Sequence, residues 1–409
     1  MLYIPIKVQF IIDTLNKNNY EAFVVGGSVR DDLLSRKVND YDITTNALPE
    51  VVEKLFEKTI PTGIKHGTIT VIIDNEHFEV TTYRIDGNYI GNRKPEEVLF
   101  VSNIKQDLSR RDFTINALAY NKDTGVLDYF NGLQDLKNKL IRAVGEPNLR
   151  FQEDALRMLR AIRFSAQLKF NIEIETLQAI KNNSALICNI SKERIRDEFI
   201  KMLLCNNPKL ALTNLIQCNL IHYIYDIDIS EHIAFKKSWL LFDCVPNNLD
   251  VRLSHFLYYL FDGNISLIEK SLNKLRFNKN TIHSVIIICT NKDYFKNIER
   301  KKDLKKLVNL VGVDMAYKIL EYNLIEFSKE CITIKKIINT LNYFLKNNDP
   351  IFLKDLNITG TDLIKELNLK GKDIGLILNI LLEKVHENPK INNKSDLLKL
   401  AKNSLYLIK

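Results

Sequence analysis

Two hydrophobic periods divide this chain. Before about residue 145, short apolar runs alternate with turn residues: "AFVV" (22–25), "YDITT" (41–45), "GTITVIID" (67–74) and "HFEVTTYR" (77–84) read as strands, and Asp74-Asn75-Glu76 joins the last two as a hairpin. The stretches "SVRDDLLS" (28–35) and "LPEVVEKLFEKT" (48–59) carry helical spacing. Beyond Gly145-Glu146-Pro147 the roughly 3.6-residue period takes over, as in "EDALRMLRAIRFSAQL", "SKERIRDEFIKMLL" and "KKDLKKLVNLVGV". Nine of the 14 glycines fall within the first 145 residues, and the next is Gly263. The pattern predicts an α+β head with a small mixed or antiparallel sheet, followed by an elongated all-helical arm. Its divisions are a head over 1–146, a neck over 147–204, a body over 205–310 and a tail over 311–409.

Composition changes this picture little. With 409 residues, 45% hydrophobic and 26% charged, the chain can bury several cores. The 58 Lys+Arg against 50 Asp+Glu leave +8, which suits a nucleic-acid partner but is also what an Ile-, Asn- and Lys-rich chain produces unaided. The six cysteines, at 188, 205, 218, 244, 289 and 331, form no CxxC pair and all fall in helical-looking segments, so they are expected to be reduced core residues of a cytoplasmic protein. The start "MLYIPIKVQFIIDTL" lacks the features of a signal or transit peptide, and runs such as "SVIIIC" are too short to cross a bilayer. The seven histidines are isolated, with no His-Asp pair in "VRLSHFLYYLFDGN", so packed or surface roles and no phosphohydrolase activity are expected.

Candidate chemistry begins in "NDYDIT". A strand's alternation puts Asp40 and Asp42 on one face and Tyr41 and Ile43 on the other. Two like charges that close make sense with a cation between them, and Glu79 of "HFEVTTYR" could add a third carboxylate from a neighbouring strand. Oxygen donors alone favour Mg²⁺, which keeps waters and takes further ligands from substrate phosphates. Upstream, "GGSVRD" places Gly26 and Gly27 where backbone can approach a ligand, ahead of a helix start and the donor fork of Arg30. No GxxxxGK[ST] is present, which excludes a P-loop.

Projected as one helix, "FQEDALRMLRAIRFSA" sets Ala155, Met158, Leu159, Ile162 and Ala166 on an apolar stripe, opposite Glu153, Asp154, Arg157, Arg160 and Arg163. Leu156 and Phe164 fit neither set. Taken alone, the polar arc reads as a solvated face with i,i+3 ion pairs. Beside the other motifs, however, the pair could meet a planar ligand: Asp154 could accept from an amino group while Arg157 donates to an unprotonated ring nitrogen next to it.

The ordered motifs "GGSVRD", "DYDITT", "EVTTYR", "RRDFTINALAY", "LDYFNGLQDLKNKLIRAVGEP", "EDALRMLRAIRF" and "ISKERIRDEF" resemble the branch of the nucleotidyltransferase superfamily that contains class II bacterial tRNA CCA-adding enzymes and poly(A) polymerases. The resemblance covers the first 200 residues and fades beyond. It implies a nucleotidyltransferase head in which Asp40 and Asp42 bind Mg²⁺, with Glu79 as a third acid. It also implies that Asp154 and Arg157 serve as an amino-acid template for the base. Gly26, Gly27, Arg30, Arg111, Arg160 and Arg163 would hold the nucleotide, supported by Glu153, Asp112 and Asn116. The implied activity is addition of C, C and A to tRNA from CTP and ATP, with A-only addition or poly(A) synthesis as the alternatives. The stretch "PTGIKHGTITVIIDNEHFEVTTYR" is similar to the CCA-adding branch, because it lacks the basic pair and L-x-H-V pattern typical of the other. Residues 84–100, "RIDGNYIGNRKPEEVLF", resemble the flexible loop of full CCA-adding and A-adding relatives, with Gly87 and Gly91 as sources of mobility. They depart from it at Ile90-Gly91-Asn92, where relatives often carry an acid. The lysines of "NIERKKDLKKLVNL" and "CITIKKIINTLNYFLKNN" are candidates for tRNA phosphates. Monomer and homodimer both stay open.

Overall fold

A computed structural model describes residues 2–405 other than 88, 91–93, 96, 229–237, 239 and 240. Gly91, Asn92 and His232 therefore lie outside the described residues. The chain divides into two compact units, Met1–His232 and Ile233–Lys409.

The first unit is built on a mixed sheet of seven strands: β1 (Ala22–Val25), β2 (Asp42–Thr45), β3 (Thr59–Gly63), β4 (Thr68–Ile73), β5 (Glu76–Thr82), β6 (Leu118–Asn121) and β7 (Gly125–Asp128). Their order is β7-β6-β1-β2-β5-β4-β3. The β4–β5 hairpin turns on Asp74 (φ 49°) and Asn75 (φ 63°). Two successive left-handed residues make the turn whose twist matches that of the strands, and short polar side chains tolerate it. Glu76 is already paired, opposite Ile73. The strand "AFVV" is wholly buried between β6 and β2, as a continuous apolar run demands. Strand β2 starts at Asp42, one step later than the sequence pattern suggests, so Asp40 sits in the lead-in. Strands β2 and β5 run parallel, with Ile43 opposite Val80 and Thr44 opposite Thr81. One step back in that register, Asp42 meets Glu79. Loop 84–100 rises from a paired base in which Arg84–Asp86 runs antiparallel to Val98–Phe100.

In the neck, the single helix projected over 151–166 is two. Pro147–Glu153 ends where Asp154 adopts extended dihedrals (φ −136°, ψ 102°), and Leu156–Leu168 begins after Ala155. The Asp154 carboxylate accepts the Leu156 N–H at 3.1 Å, the local bonding by which aspartate competes with helix continuation. Glu153 and Asp154 therefore leave the arc of Arg157, Arg160 and Arg163. The apolar stripe is as expected: Ala155, Met158, Leu159, Ile162 and Ala166 are all buried. The polar arc is only partly solvated, because Arg157 and Arg163 are each only 8% exposed.

The described part of the second unit is helical from Leu249 to Ser404. One of its cores gathers Leu363, Ile377, Leu381, Val385 and Leu397. His255 is buried and bonded to Glu326 at 2.9 Å, and His386 to the Ile351 carbonyl at 2.9 Å, as packed histidines should be. The cysteine expectation holds for half of the set. Cys205, Cys218 and Cys289 are buried, but Cys188 and Cys244 are exposed in short 3₁₀ turns and Cys331 is half-buried. Among the described residues, no helix is long and apolar enough to cross a membrane.

Candidate active site

Some acids of the head lack cationic partners among the described residues. Asp40 and Asp42 lie at the mouth of β2, and among the described residues neither they nor Glu79 bond to a cationic side chain. Their charges are felt mutually. The surrounding protein withdraws solvent from the Asp42 carboxyl and raises it above its usual range; Arg111 opposes the shift, and Asp40 adds to it. Burial likewise raises Glu79, followed by the charges of Asp42 and Asp40. Among the described residues no three His, Cys, Asp or Glu side chains form a ready-made metal cage. Carboxylates with oxygen donors only fit a hard divalent cation that keeps waters and shares substrate phosphates.

Beside the acids lies a cationic wall built on the Gly26 turn. Gly26 has φ +79° and ψ −129°, a conformation essentially reserved for glycine. A Cβ there would come within 3.0 Å of Arg111 Nη1, so the missing side chain lets Arg111 close on the turn. Gly27 opens the helix Gly27–Leu33. Arg111 donates Nη2 to Asp107 at 3.4 Å, while among the described residues its buried Nε has no hydrogen-bond partner. Asp107 is fully buried. Burial would raise its carboxyl, but Arg110 and Arg111 overcome this and hold it low. It also accepts from Thr44 at 3.4 Å and from the Arg84 N–H at 3.3 Å, linking β2 and the base of loop 84–100 to Arg111.

A relay then runs into the neck. Arg30 donates to Asn116 Oδ1 at 2.6 Å, Asn116 Nδ2 to Asp112 at 3.0 Å, and Arg160 Nε to Asp112 at 2.7 Å. Burial acts to raise the Asp112 carboxyl, but Arg160 and Asn116 bring it down to about 2. The Arg30 fork closes on Asp31 at 3.0 and 2.9 Å, so this arginine is more engaged than its phosphate-binding expectation implied. Arg163 bonds the buried Glu198 at 2.6 Å. Phe164, the misfit of the helix projection, is the platform of this region: Arg30, Arg160 and Arg163 lie 4.9, 5.4 and 4.1 Å from its ring centre. A polar cavity of about 370 Å³ opens here, lined by Arg30, Arg36, Lys37, Asn39, Arg163 and Gln167.

Asp154 and Arg157 flank the helix break, with the Arg157 N–H on the Asp154 carbonyl at 3.0 Å. Their side chains pair with others. Arg157 bonds Glu153 at 2.7 Å and the Arg110 carbonyl at 2.9 Å, and Asp154 bonds Arg194 at 2.7 Å. The structure thus groups the expected residues into an acidic mouth, an arginine relay and a corner at the helix break that holds Asp154 and Arg157. Sequence reasoning missed Asp107, Phe164, Arg194 and Glu198, although all four lie in or beside the motifs it singled out.

Comparison with known proteins accords with this geometry. Residues 22–142 match the Poly A polymerase head domain, and residues 169–227 match the probable RNA and SrmB-binding site of polymerase A. The head is thus that of a nucleotidyltransferase of the poly(A) polymerase type. The CCA-adding enzyme of Ligilactobacillus salivarius is 37% identical over 408 residues, 98% of this chain and 96% of the relative. That of Lactobacillus helveticus is 56% identical over 197 residues, so that alignment spans about half of each, 48% of this chain and 49% of the relative. The crystal structure of the Bacillus stearothermophilus CCA-adding enzyme in complex with CTP superposes with a TM-score of 0.83 at 28% identity, covering 98% of both chains. The Thermotoga maritima CCA-adding enzyme complexed with tRNA shares the fold, with a TM-score of 0.71 at 23% identity over 98% of this chain and 96% of that one. The chain belongs to the CCA-adding enzyme family.

Proposed function

We propose that the protein is a template-independent tRNA nucleotidyltransferase that adds C, C and A to tRNA 3′ ends from CTP and ATP and releases pyrophosphate. The carrying observation is the match to a CCA-adding enzyme along 98% of this chain. Poly(A) synthesis is less well supported, because the relatives that align along the whole chain are named for CCA addition.

In this reading the RNA 3′-oxygen bonds to the α-phosphorus of the nucleotide as the bond to the bridging oxygen breaks, and pyrophosphate leaves. Mg²⁺, which Asp40 and Asp42 would hold, supplies charge stabilisation at the phosphates and activation of the attacking hydroxyl. Glu79, whose raised carboxyl suits an acceptor of protons, takes the hydroxyl proton. Arg111 offers its orphan Nε–H to the nucleotide, and Arg30, Arg160 and Arg163 surround the phosphates and sugar with positive charge. Asp154 and Arg157 accept and donate at the base edge. The second unit tracks tRNA phosphates, and six thiols without a disulfide suit the cytoplasm, where tRNA matures.

The test is purified enzyme given tRNAs that end before CCA, at C and at CC, with each NTP singly. The expected products are C, C and then A. Long A tails, or extension of the CC-ending tRNA alone, would overturn the reading.

A further inference from the structure

An acid and a base set three residues apart attract one another, and if they closed into an ion pair neither could read a ligand. Here each is held by a different partner. Arg157 turns to Glu153 at 2.7 Å, and Asp154 turns to Arg194, which reaches it from the helix Lys192–Leu203. Arg194 takes both oxygens, Nη1 on Oδ1 at 3.3 Å and Nη2 on Oδ2 at 2.7 Å, while the Leu156 N–H takes Oδ1 at 3.1 Å. A carboxylate offers about four acceptor positions. Three are filled, and one is left for a single N–H donor.

We propose that Arg194 is a specificity-determining positioning residue: by fixing the Asp154 carboxylate and holding it off Arg157, it leaves one acceptor direction, which an exocyclic amine of cytosine or adenine fills and a carbonyl of uracil or guanine cannot. This rests on Asp154 reading the base. The fork matters because two parallel N–H bonds fix the carboxylate plane, whereas a lysine ammonium supplies charge without orientation.

The experiment measures kcat/KM for CTP, ATP and UTP with wild type, Arg194→Met, Arg194→Lys and Asp154→Ala, at a temperature well below each variant's melting transition. Expected for Arg194→Met is a CTP:UTP preference lowered by roughly tenfold or more. Arg194→Lys is expected to keep most of the turnover with CTP while still losing discrimination. A structural role would instead lower all three nucleotides in proportion, which would overturn the proposal. If Arg194→Met does not fold, the lysine variant decides: discrimination equal to wild type refutes the role. Unchanged discrimination in Asp154→Ala would sink the underlying base-reading assignment, whereas relaxed discrimination there with intact discrimination in both Arg194 variants would sink this proposal alone.

Discussion

The acids at the mouth of β2 and those of the arginine relay and helix break are the same two residue types in opposite circumstances. Among the described residues Asp40, Asp42 and Glu79 bond no cationic side chain, and burial and mutual repulsion raise the carboxyls of Asp42 and Glu79. Asp112, Glu153, Asp154 and Glu198 each hold an arginine at 2.6 to 2.7 Å. An arrangement that repels itself is costly in the folded state and is retained where a cation and a phosphate complete it. A saturated lattice does the reverse, fixing side chains before the ligand arrives. The mouth of β2 therefore leaves its charge open, whereas the relay and the helix break keep their own groups in place.

The sharpest way to break that contrast is to remove one acid from each region. Asp40→Ala should lower nucleotide addition by roughly four orders of magnitude, about 5 kcal/mol of transition-state stabilisation, while leaving tRNA binding measurable and the melting temperature unchanged or higher. Residual turnover above about a hundredth of wild type would refute the metal role. Asp112→Ala should behave oppositely. It strands Arg160 and Asn116, and loss of one partner from a buried pair costs about 3–5 kcal/mol, to be read as a lower urea midpoint. An Asp112 variant as stable as wild type would show that the relay is incidental.

The two regions should also answer acid differently. Asp112 sits at about 2 against an ordinary 3.8, so its contribution is complete above about pH 4 and is lost as the pH falls towards 2. The full span is on the order of 2 kcal/mol. Asp42 and Glu79 have raised values, so protonating them first relieves repulsion, and stability gains as the pH drops through their elevated range. Urea midpoints of wild type and Asp112→Asn across pH 2 to 6 check this, and parallel curves for the two proteins would contradict it.

Much of this was legible from side-chain alternation. The strands around Asp42 and Glu79 follow from period-two patterning, and the parallel β2–β5 register delivers the expected proximity. The break at Asp154 escaped the helix projection, because a wheel assumes continuity that a backbone-bonding aspartate interrupts. Phe164 escaped because periodicity sorts residues into apolar and polar, whereas an aromatic face serves both. Arg194 and Glu198 lay within "ISKERIRDEF", but no spacing rule says which neck acid or base each would meet across separate helices.

The smallest effect concerns the two lysine runs of the second unit, which the sequence made look alike. In the first, Lys302 pairs with Glu387 at 2.7 Å, Lys306 with Glu383 at 3.0 Å, and the buried Lys305 with Asp349 at 2.9 Å, so these charges tie helices and turns together. In the second, Lys335, Lys336 and Lys346 are exposed and make no ion pair among the described residues. Only such uncommitted charges can exchange counterions for phosphates without first breaking an internal bond. Changing these three to glutamine should flatten the slope of log Kd for tRNA against log salt by roughly one unit for each phosphate no longer neutralised. Changing Lys302 and Lys306 should leave the slope nearly unaltered and cost little stability, because these pairs lie in solvent. Titrations of tRNA at several salt concentrations separate the two sets, and equal slope changes would show that pairing within the protein does not decide which lysines reach the RNA.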